Sequence, residues 1–263
     1  MNLLEAIVLG LIQGLTEFLP VSSSGHLELG KYLFGMDHEA NFYFSIAVHG
    51  ATVLSTLVVL WKEIAVLFKG LFAFKLNDET RYIIKLFISM IPIGIVGLLW
   101  YEIVLKFFTG QMISLGINFM ITAVFLGLTS FIKPIERPMT HLDSFIIGLA
   151  QALAVLPGIS RSGSTIATGI MLGNKKSDIA KFSFLMVLIP VIGANLVEMT
   201  SGDFTKGGTS LLVIMVGFLT AFISGYLACK WMISIVKKGN LKWFALYCVL
   251  VGIFSILLGL HVF

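Results

Sequence analysis

Two clusters of polar residues interrupt an otherwise apolar chain, and their side chains suit one chemistry. The first holds Gln13, Glu17, Ser22, Ser23, Ser24 and His26; the second holds Ser160, Arg161, Ser162, Ser164 and Thr165. Gln13 and Glu17 are four residues apart, so on a helix they share a face. A carboxylate with an amide oxygen beside it can hold a hard divalent cation, Mg2+ or Ca2+. Arg161 offers a planar fork of donors that suits phosphate or carboxylate. Ser160, Ser162 and Thr165 add hydroxyls around it, together with the free amides of a helix start. His26 can be a nucleophile, a general base, a general acid or a hydrogen-bonded packing residue. Ser22, Ser23 and Ser24 can all cap a helix, and one of them can do more. Arginine, hydroxyls and amides suit an anion, which the carboxylate repels unless a cation or a proton intervenes. A metal-assisted phosphoanhydride hydrolysis uses every member of this set. The plainer reading, a structural ion pair between Glu17 and Arg161, is compatible with an anion site.

The elements that must carry these residues lie in a membrane. Of 263 residues, 57% are hydrophobic and 12% charged, with a mean hydropathy of +0.98, which excludes a soluble globular domain. Cys229 and Cys248 sit in apolar runs and read as packing residues, not as a disulfide or a thiolate metal site. The opening MNLLEAIVLG lacks a basic leader, so it is expected to belong to the fold. P-loop, dinucleotide and zinc spacings are absent, and no nucleic-acid partner is expected. Glu28, His49 and Asn195 also fall in apolar runs, without a convergent partner, and read as structural.

Apolar runs long enough to cross a bilayer core occupy 42–61, 82–100, 112–132, 182–197, 210–232 and 243–261. Two further stretches, 3–35 and 144–173, are broken at Leu19-Pro20 and Leu156-Pro157-Gly158, each followed by serines. Proline ends a helix and serine caps a new one. Each stretch therefore reads as a re-entrant pair of half-helices, allowed at membrane depth only where protein or a wet cavity surrounds the break. The expectation is an all-α polytopic membrane protein with six full spans and two re-entrant hairpins. On that count, Lys62, Lys69, Lys75, Arg81, Lys133, Arg137, Lys175, Lys176, Lys181, Lys237, Lys238 and Lys242 share one face, against Lys31, Lys106 and Lys206 on the other. The first face is then cytoplasmic and both termini lie outside. The net charge of +4 is this loop bias.

Shifted by 138 residues, the chain matches itself at Gly10/Gly148, Gln13/Gln151, Ser22/Ser160, Ser24/Ser162, Gly25/Gly163, Gly35/Gly173 and Ser45/Ser183. The chain thus reads as one membrane domain of two inverted repeats, about 1–132 and 140–263. Broken helices at matching positions of inverted halves point to a binding site near the midplane, where half-helix N-termini can face an anion. The two breaks are expected to meet there. Glu17, Ser23 and His26 do not recur; their counterparts are Val155, Arg161 and Ser164.

The stretch from Gln13 to His26 (QGLTEFLPVSSSGH), paired with Pro157 to Thr165 (PGISRSGST), resembles the two signature motifs of the bacterial undecaprenyl-diphosphatase family, also known as bacitracin-resistance proteins. The resemblance implies an integral phosphatase of the bacterial plasma membrane. Such an enzyme converts undecaprenyl diphosphate to undecaprenyl phosphate and inorganic phosphate, recycling the lipid carrier of peptidoglycan precursors. It also implies a divalent cation and an active site reached from the outer face. Position by position, the family's acidic pair falls on Gln13 and Glu17, its serine turn on Ser22 and Ser23, and its histidine on His26. The second motif falls on Ser160, Arg161, Ser162 and Thr165. Many members carry glutamate at the position of Gln13; an amide offers an oxygen but takes no proton, which leaves acid–base work and strong metal binding to Glu17. The expected site clamps the diphosphate with Arg161 and the hydroxyls and amides around Ser22, Ser160, Ser162 and Thr165, while the prenyl chain runs into the bilayer. Either Ser23 or His26 attacks the terminal phosphorus, or His26 activates water. The oligomeric state is open, a homodimer included. The rival readings are a lipid-carrier flippase or transporter, and a serine hydrolase pairing Ser23 or Ser24 with His26, which leaves Arg161 unexplained.

Overall fold

Helix starts follow the caps that the sequence offers. In the computed structural model, which describes residues 1–36, 42–100, 111–132, 135–201, 210–238 and 241–261, Asn2 and Glu5 form a capping box that opens α1 (Leu3–Phe18). The break at Pro20 follows, and Ser22 caps α2 (Ser23–Leu33). Then come α3 (Phe42–Val59), α4 (Trp61–Leu71), α5 (Asp78–Leu99) and α6 (Met112–Leu128). The second hairpin consists of α7 (His141–Leu153) and α8 (Arg161–Met171), and the chain ends with α9 (Lys176–Met186), α10 (Leu188–Ser201), α11 (Leu211–Lys238) and α12 (Lys242–Gly259). Lys106, Lys133 and Lys206 lie outside the described residues.

The protein is an all-α polytopic membrane protein. Among the described residues five helical runs are long and apolar enough to cross a bilayer: Asp78–Leu99, Met112–Phe131, Lys176–Val197, Leu211–Lys238 and Lys242–Gly259. A sixth span results if α3 and α4, bent by 73° at Leu60, count as one. The second hairpin begins at His141, three residues before the expected 144, because Thr140 and Asp143 form a second capping box. Arg137 donates to both Asp143 oxygens at 2.6 and 2.7 Å. Burial alone raises the Asp143 pKa, but Arg137 and the Thr140 amide outweigh it and hold the carboxyl down to about 2. Because this lies below the unfolded value of about 3.9, the clamp stabilises the fold above pH ~4 and fades as pH falls towards 2. The backbone of Arg137 also pairs with Gly173 and Lys175, which ties the two ends of the hairpin together.

Small residues let the helices approach closely, as lipid-embedded helices require. Helix α1 lies along α11, α7 along α5, α6 along α12, and α3 along α11. Leu54, Val58, Ile91, Ile95, Leu219, Ile223, Leu227, Leu250 and Ile253 are exposed, as lipid-facing helix surfaces require. Cys229 and Cys248 are buried free thiols, as expected of packing residues. Glu28 pairs with Lys31 at 3.2 Å, His49 bonds the Ser45 carbonyl at 2.8 Å, and Asn195 is half-buried.

A Cβ added at Gly14 would lie 2.0 Å from Ser224 Oγ and 2.5 Å from the Ala221 carbonyl oxygen, whereas nothing lies within 4 Å of one added at Gly50. Gly14→Ala is therefore expected to push α1 off α11 and destabilise by about 1–3 kcal/mol. Gly50→Ala should leave the thermal midpoint in detergent unchanged or raised.

Candidate functional site

The site is built where the two hairpins stop. Pro20 ends α1 after Phe18, and the chain turns through Ser22, whose φ of 70° is unusual for a residue with a side chain. The second hairpin turns through Gly158, at φ 94°, where a Cβ would meet Asn118 and the Leu115 carbonyl. Helix α6 supplies the wall of that turn. Asn118 donates to the Pro157 carbonyl at 2.7 Å; Thr122 donates to the Gly158 carbonyl at 2.9 Å and accepts from the Ser160 amide at 2.8 Å.

The two breaks touch. Gly25 faces the backbone of Gly158, and Gly163 faces the Pro20 carbonyl, each with no room for a Cβ to sit freely. Ser162 Oγ donates to the Leu19 carbonyl at 3.2 Å. The juxtaposed helix starts leave the amides of Ser23, Ser24, Arg161 and Ser162 without intrahelical acceptors and bring two positive dipole ends to one place. Between them lies a pocket of about 40 Å³ lined by Thr16, Glu17, Ser22–Ser24 and Ser160–Ser162.

Glu17 is the hub. One carboxylate oxygen accepts from Arg161; the other accepts from Ser23 Oγ at 2.6 Å and from Gln13 Nε2 at 3.0 Å. Carboxylate and guanidinium side chains are only 12% and 15% exposed, so neither is hydrated enough to stand alone. Arg161 also donates to the Ser183 carbonyl at 3.2 Å, and Ser183 Oγ lies 2.6 Å from Thr165 Oγ1. Ser160 Oγ and Ser162 Oγ are 3.3 Å apart. The structure thus brings together Gln13, Glu17, Ser22, Ser23, Ser160, Arg161 and Ser162, while Thr165 sits one turn behind Arg161.

His26 is not part of the pocket lining. Its Nδ1 lies 2.8 Å from the Ser22 carbonyl and its Nε2 lies 2.8 Å from the Tyr247 hydroxyl. The carbonyl can only accept, so Nδ1 carries the hydrogen and Nε2 accepts from Tyr247. The ring stacks on Tyr247 with planes 6° apart and meets Phe119 edge-on. Neither ring nitrogen is bonded to the Ser23 or Ser24 hydroxyl, so His26 forms no serine-hydrolase pair with either of them.

Four contributors escaped the sequence reading. Ser183 was marked only by its match to Ser45 in the repeat. Thr122, Asn118 and Tyr247 carried no signal, because a hydroxyl, an amide or a phenol within an apolar run does not reveal what it faces.

Among the described residues no group of three or more His, Cys, Asp or Glu could hold a metal ion by itself. A cation bound largely through phosphate oxygens needs only one or two protein ligands. Glu17 and the buried Gln13 Oε1, which has no hydrogen-bond partner, fit that more modest requirement as hard oxygen donors.

Comparison with known proteins agrees along nearly the whole chain. The family described as bacitracin resistance protein BacA matches residues 6–254. An undecaprenyl-diphosphatase of Bacteroides thetaiotaomicron is 55% identical over 257 residues, covering 96% of this chain and 97% of the relative. Another from Parabacteroides distasonis is 52% identical over 260 residues, covering 97% and 98%. A third, from the methanogen Methanococcus vannielii, is 39% identical over 259 residues, covering 96% and 99%.

The wall behind the second turn yields a structural prediction. Thr122→Val strips both the donor to Gly158 and the acceptor of Ser160, leaving two buried backbone groups unpaired. It is expected to lower stability by about 1–3 kcal/mol or more, measured as thermal unfolding in detergent, while Thr122→Ser retains most of it.

Proposed function

The chain belongs to the BacA family of bacitracin resistance proteins, and on that premise we propose that the pocket between its hairpin breaks is where it hydrolyses undecaprenyl diphosphate. The products are undecaprenyl phosphate and inorganic phosphate, and the reaction recycles the lipid carrier of cell-wall synthesis. One observation carries the placement: Ser23, Glu17 and Arg161 are joined in a single hydrogen-bonded chain at a point faced by two helix starts.

The arrangement supplies each part of a phosphoryl transfer. Arg161 exchanges Glu17 for the diphosphate oxygens, which the hydroxyls of Ser22 and Ser160 and the open amides of Ser23, Ser24, Arg161 and Ser162 also hold, with Thr165 supporting Arg161 through Ser183. Ser23 Oγ, already donating to Glu17, attacks the terminal phosphorus as its proton passes to the carboxylate. The bond from that phosphorus to the bridging oxygen breaks, and Glu17 returns the proton to the departing undecaprenyl phosphate. Water then attacks the phosphoserine, giving its proton to Glu17, which hands it to Ser23 Oγ as inorganic phosphate leaves. A divalent cation held by Glu17 and Gln13 would neutralise charge on the diphosphate when bound. His26, turned towards Ser22 and Tyr247, acts in this reading by holding the Ser22 carbonyl, not by touching the reacting atoms.

The reading extends to the architecture. We take the halves as inverted repeats; the reciprocal packing of α1 on α11 and α7 on α5, with α6 and α12 paired to each other, supports this. The basic loops support a cytoplasmic face opposite both termini, with the pocket served from the outer face of the plasma membrane.

Purified protein is expected to release phosphate from undecaprenyl diphosphate, to lose that activity on chelation and to regain it with Mg2+ or Ca2+. Full turnover in chelator would remove the cation from the scheme. Ser23→Ala should cost roughly 10³-fold or more in turnover and abolish a trappable phosphoenzyme. His26→Asn, which only loosens the turn, should cost up to about 10²-fold. Equal losses in the two variants, with label on His26, would make the histidine the nucleophile. Arg161→Lys keeps a charge opposite Glu17 but loses the fork, and should cost about 10²–10³-fold.

A further inference from the structure

Helix α4 carries three kinds of side chain, and the helical period sorts them onto three faces. Glu63, Ile64, Leu67 and Gly70, spaced i, i+1, i+4 and i+7, face the protein. Glu63 accepts from Lys181 of α9 at 2.6 Å, Ile64 and Leu67 pack on the core, and Gly70 lies against Glu79 of α5. Trp61, Phe68 and Phe72, spaced i, i+7 and i+11, form a second line. They are 65%, 57% and 66% exposed, and no residue of α4 is buried. Lys62 and Lys69, also exposed and seven apart, form a third line about a quarter-turn from the aromatic one.

The direction of the helix gives these faces their surroundings. Helix α3 has 18 residues, a length of about 27 Å, which nearly matches the ~30 Å of a hydrocarbon core. Helix α4 turns off it by 73° and so lies close to the membrane plane. The turn that follows is held in place: Asn77 donates to the Gly70 carbonyl at 3.0 Å and caps α5 by accepting from the Thr80 amide at 2.8 Å. Within that turn Phe74 takes a φ of 49°, which a bulky side chain rarely adopts, and stands 90% exposed. A strained turn that holds an aromatic ring out from the protein is a feature of binding surfaces.

Charge selects the occupant. Residues 61–85 hold Lys62, Lys69, Lys75, Arg81 and Lys85 against Glu63, Asp78 and Glu79, and Glu63 is already paired with Lys181. An aromatic line beside a row of lysines suits the boundary between headgroups and acyl chains, where rings enter the acyl region and ammonium groups stay at the phosphates. A second copy of the chain packed here about a twofold axis would instead set these lysines among their own counterparts.

We propose that α4 and the turn through Lys75 form a binding surface for acidic phospholipids. Trp61, Phe68, Phe72 and Phe74 insert among the acyl chains, and Lys62, Lys69 and Lys75 hold the headgroup phosphates. None of these residues lines the pocket between the hairpins, so the surface is independent of the reaction assigned there.

Benzoylphenylalanine placed at Phe68 or Phe74, in vesicles of mixed phosphatidylglycerol and phosphatidylcholine, probes the surface directly. Photolysis should give lipid adducts in which phosphatidylglycerol exceeds its share of the vesicle by about fivefold or more. The same probe at Ile253, on the exposed surface of α12, should give adducts close to the vesicle composition. Combining Lys62→Gln, Lys69→Gln and Lys75→Gln, with the thermal midpoint unchanged, should bring the enrichment below about twofold, and high salt should do the same. Adducts at vesicle composition with the lysines intact, enrichment that survives the loss of all three, adducts to a second protein chain, or no lipid adduct would each overturn the assignment.

Discussion

A helix that stops inside packed protein exposes carbonyls and amides that apolar neighbours cannot hydrogen-bond, and this constraint governs the centre of the protein. Neither hairpin meets it alone. The Leu19 carbonyl is bonded by Ser162 from the other hairpin, and the Pro157 and Gly158 carbonyls by Asn118 and Thr122 from α6. Gly25 and Gly163, at matching positions of the two hairpins, make the contact close enough for these bonds to form. The site is therefore not an addition to a finished scaffold. The same close approach that satisfies the broken backbones sets two helix starts face to face and makes the space between them attractive to an anion.

The charges obey the same logic. A carboxylate or a guanidinium this far from water costs several kcal/mol unless paired. Glu17 is supplied by the first hairpin and Arg161 by the second, so each relieves the cost of the other only when both are in place. In the proposed mechanism the pair has a second use: a substrate diphosphate replaces Glu17 as the partner of Arg161, and the freed carboxylate becomes a base beside Ser23. In the two-repeat reading, the scaffold residues recur while the chemistry does not. Ser22 and Ser160 both cap helices, but Glu17, Ser23 and His26 stand opposite Val155, Arg161 and Ser164. Two similar cradles thus carry different reagents.

His26 shows that residue type does not fix what a side chain faces. An imidazole beside three serines is compatible with direct catalysis, yet the first turn of α2 carries the ring towards α12, where Tyr247 and Phe119 enclose it. Its Nδ1–H instead braces the carbonyl of Ser22, the residue with positive φ on which the position of Ser23 depends. The bend between α3 and α4 and the early start of α7 were similarly hidden. Hydropathy runs through Leu60 without a gap, and the capping box at Thr140 lies in a polar loop that a search for apolar runs passes over.

Local physics is written in the sequence, and that part was legible: apolar length set the spans, proline and serine set the breaks, and charges inside apolar runs singled out Glu17 and Arg161. The internal match even indicated that the breaks belong together. Only the tertiary structure decided which groups face one another across them. It turned Ser23 towards Glu17 and His26 towards Tyr247, and it recruited Thr122, Asn118 and Ser183 as supports. Those outcomes depend on the rotation of each helix about its axis and on its depth beside its neighbours, and in a chain this apolar many faces look alike until small residues and buried hydrogen bonds select one.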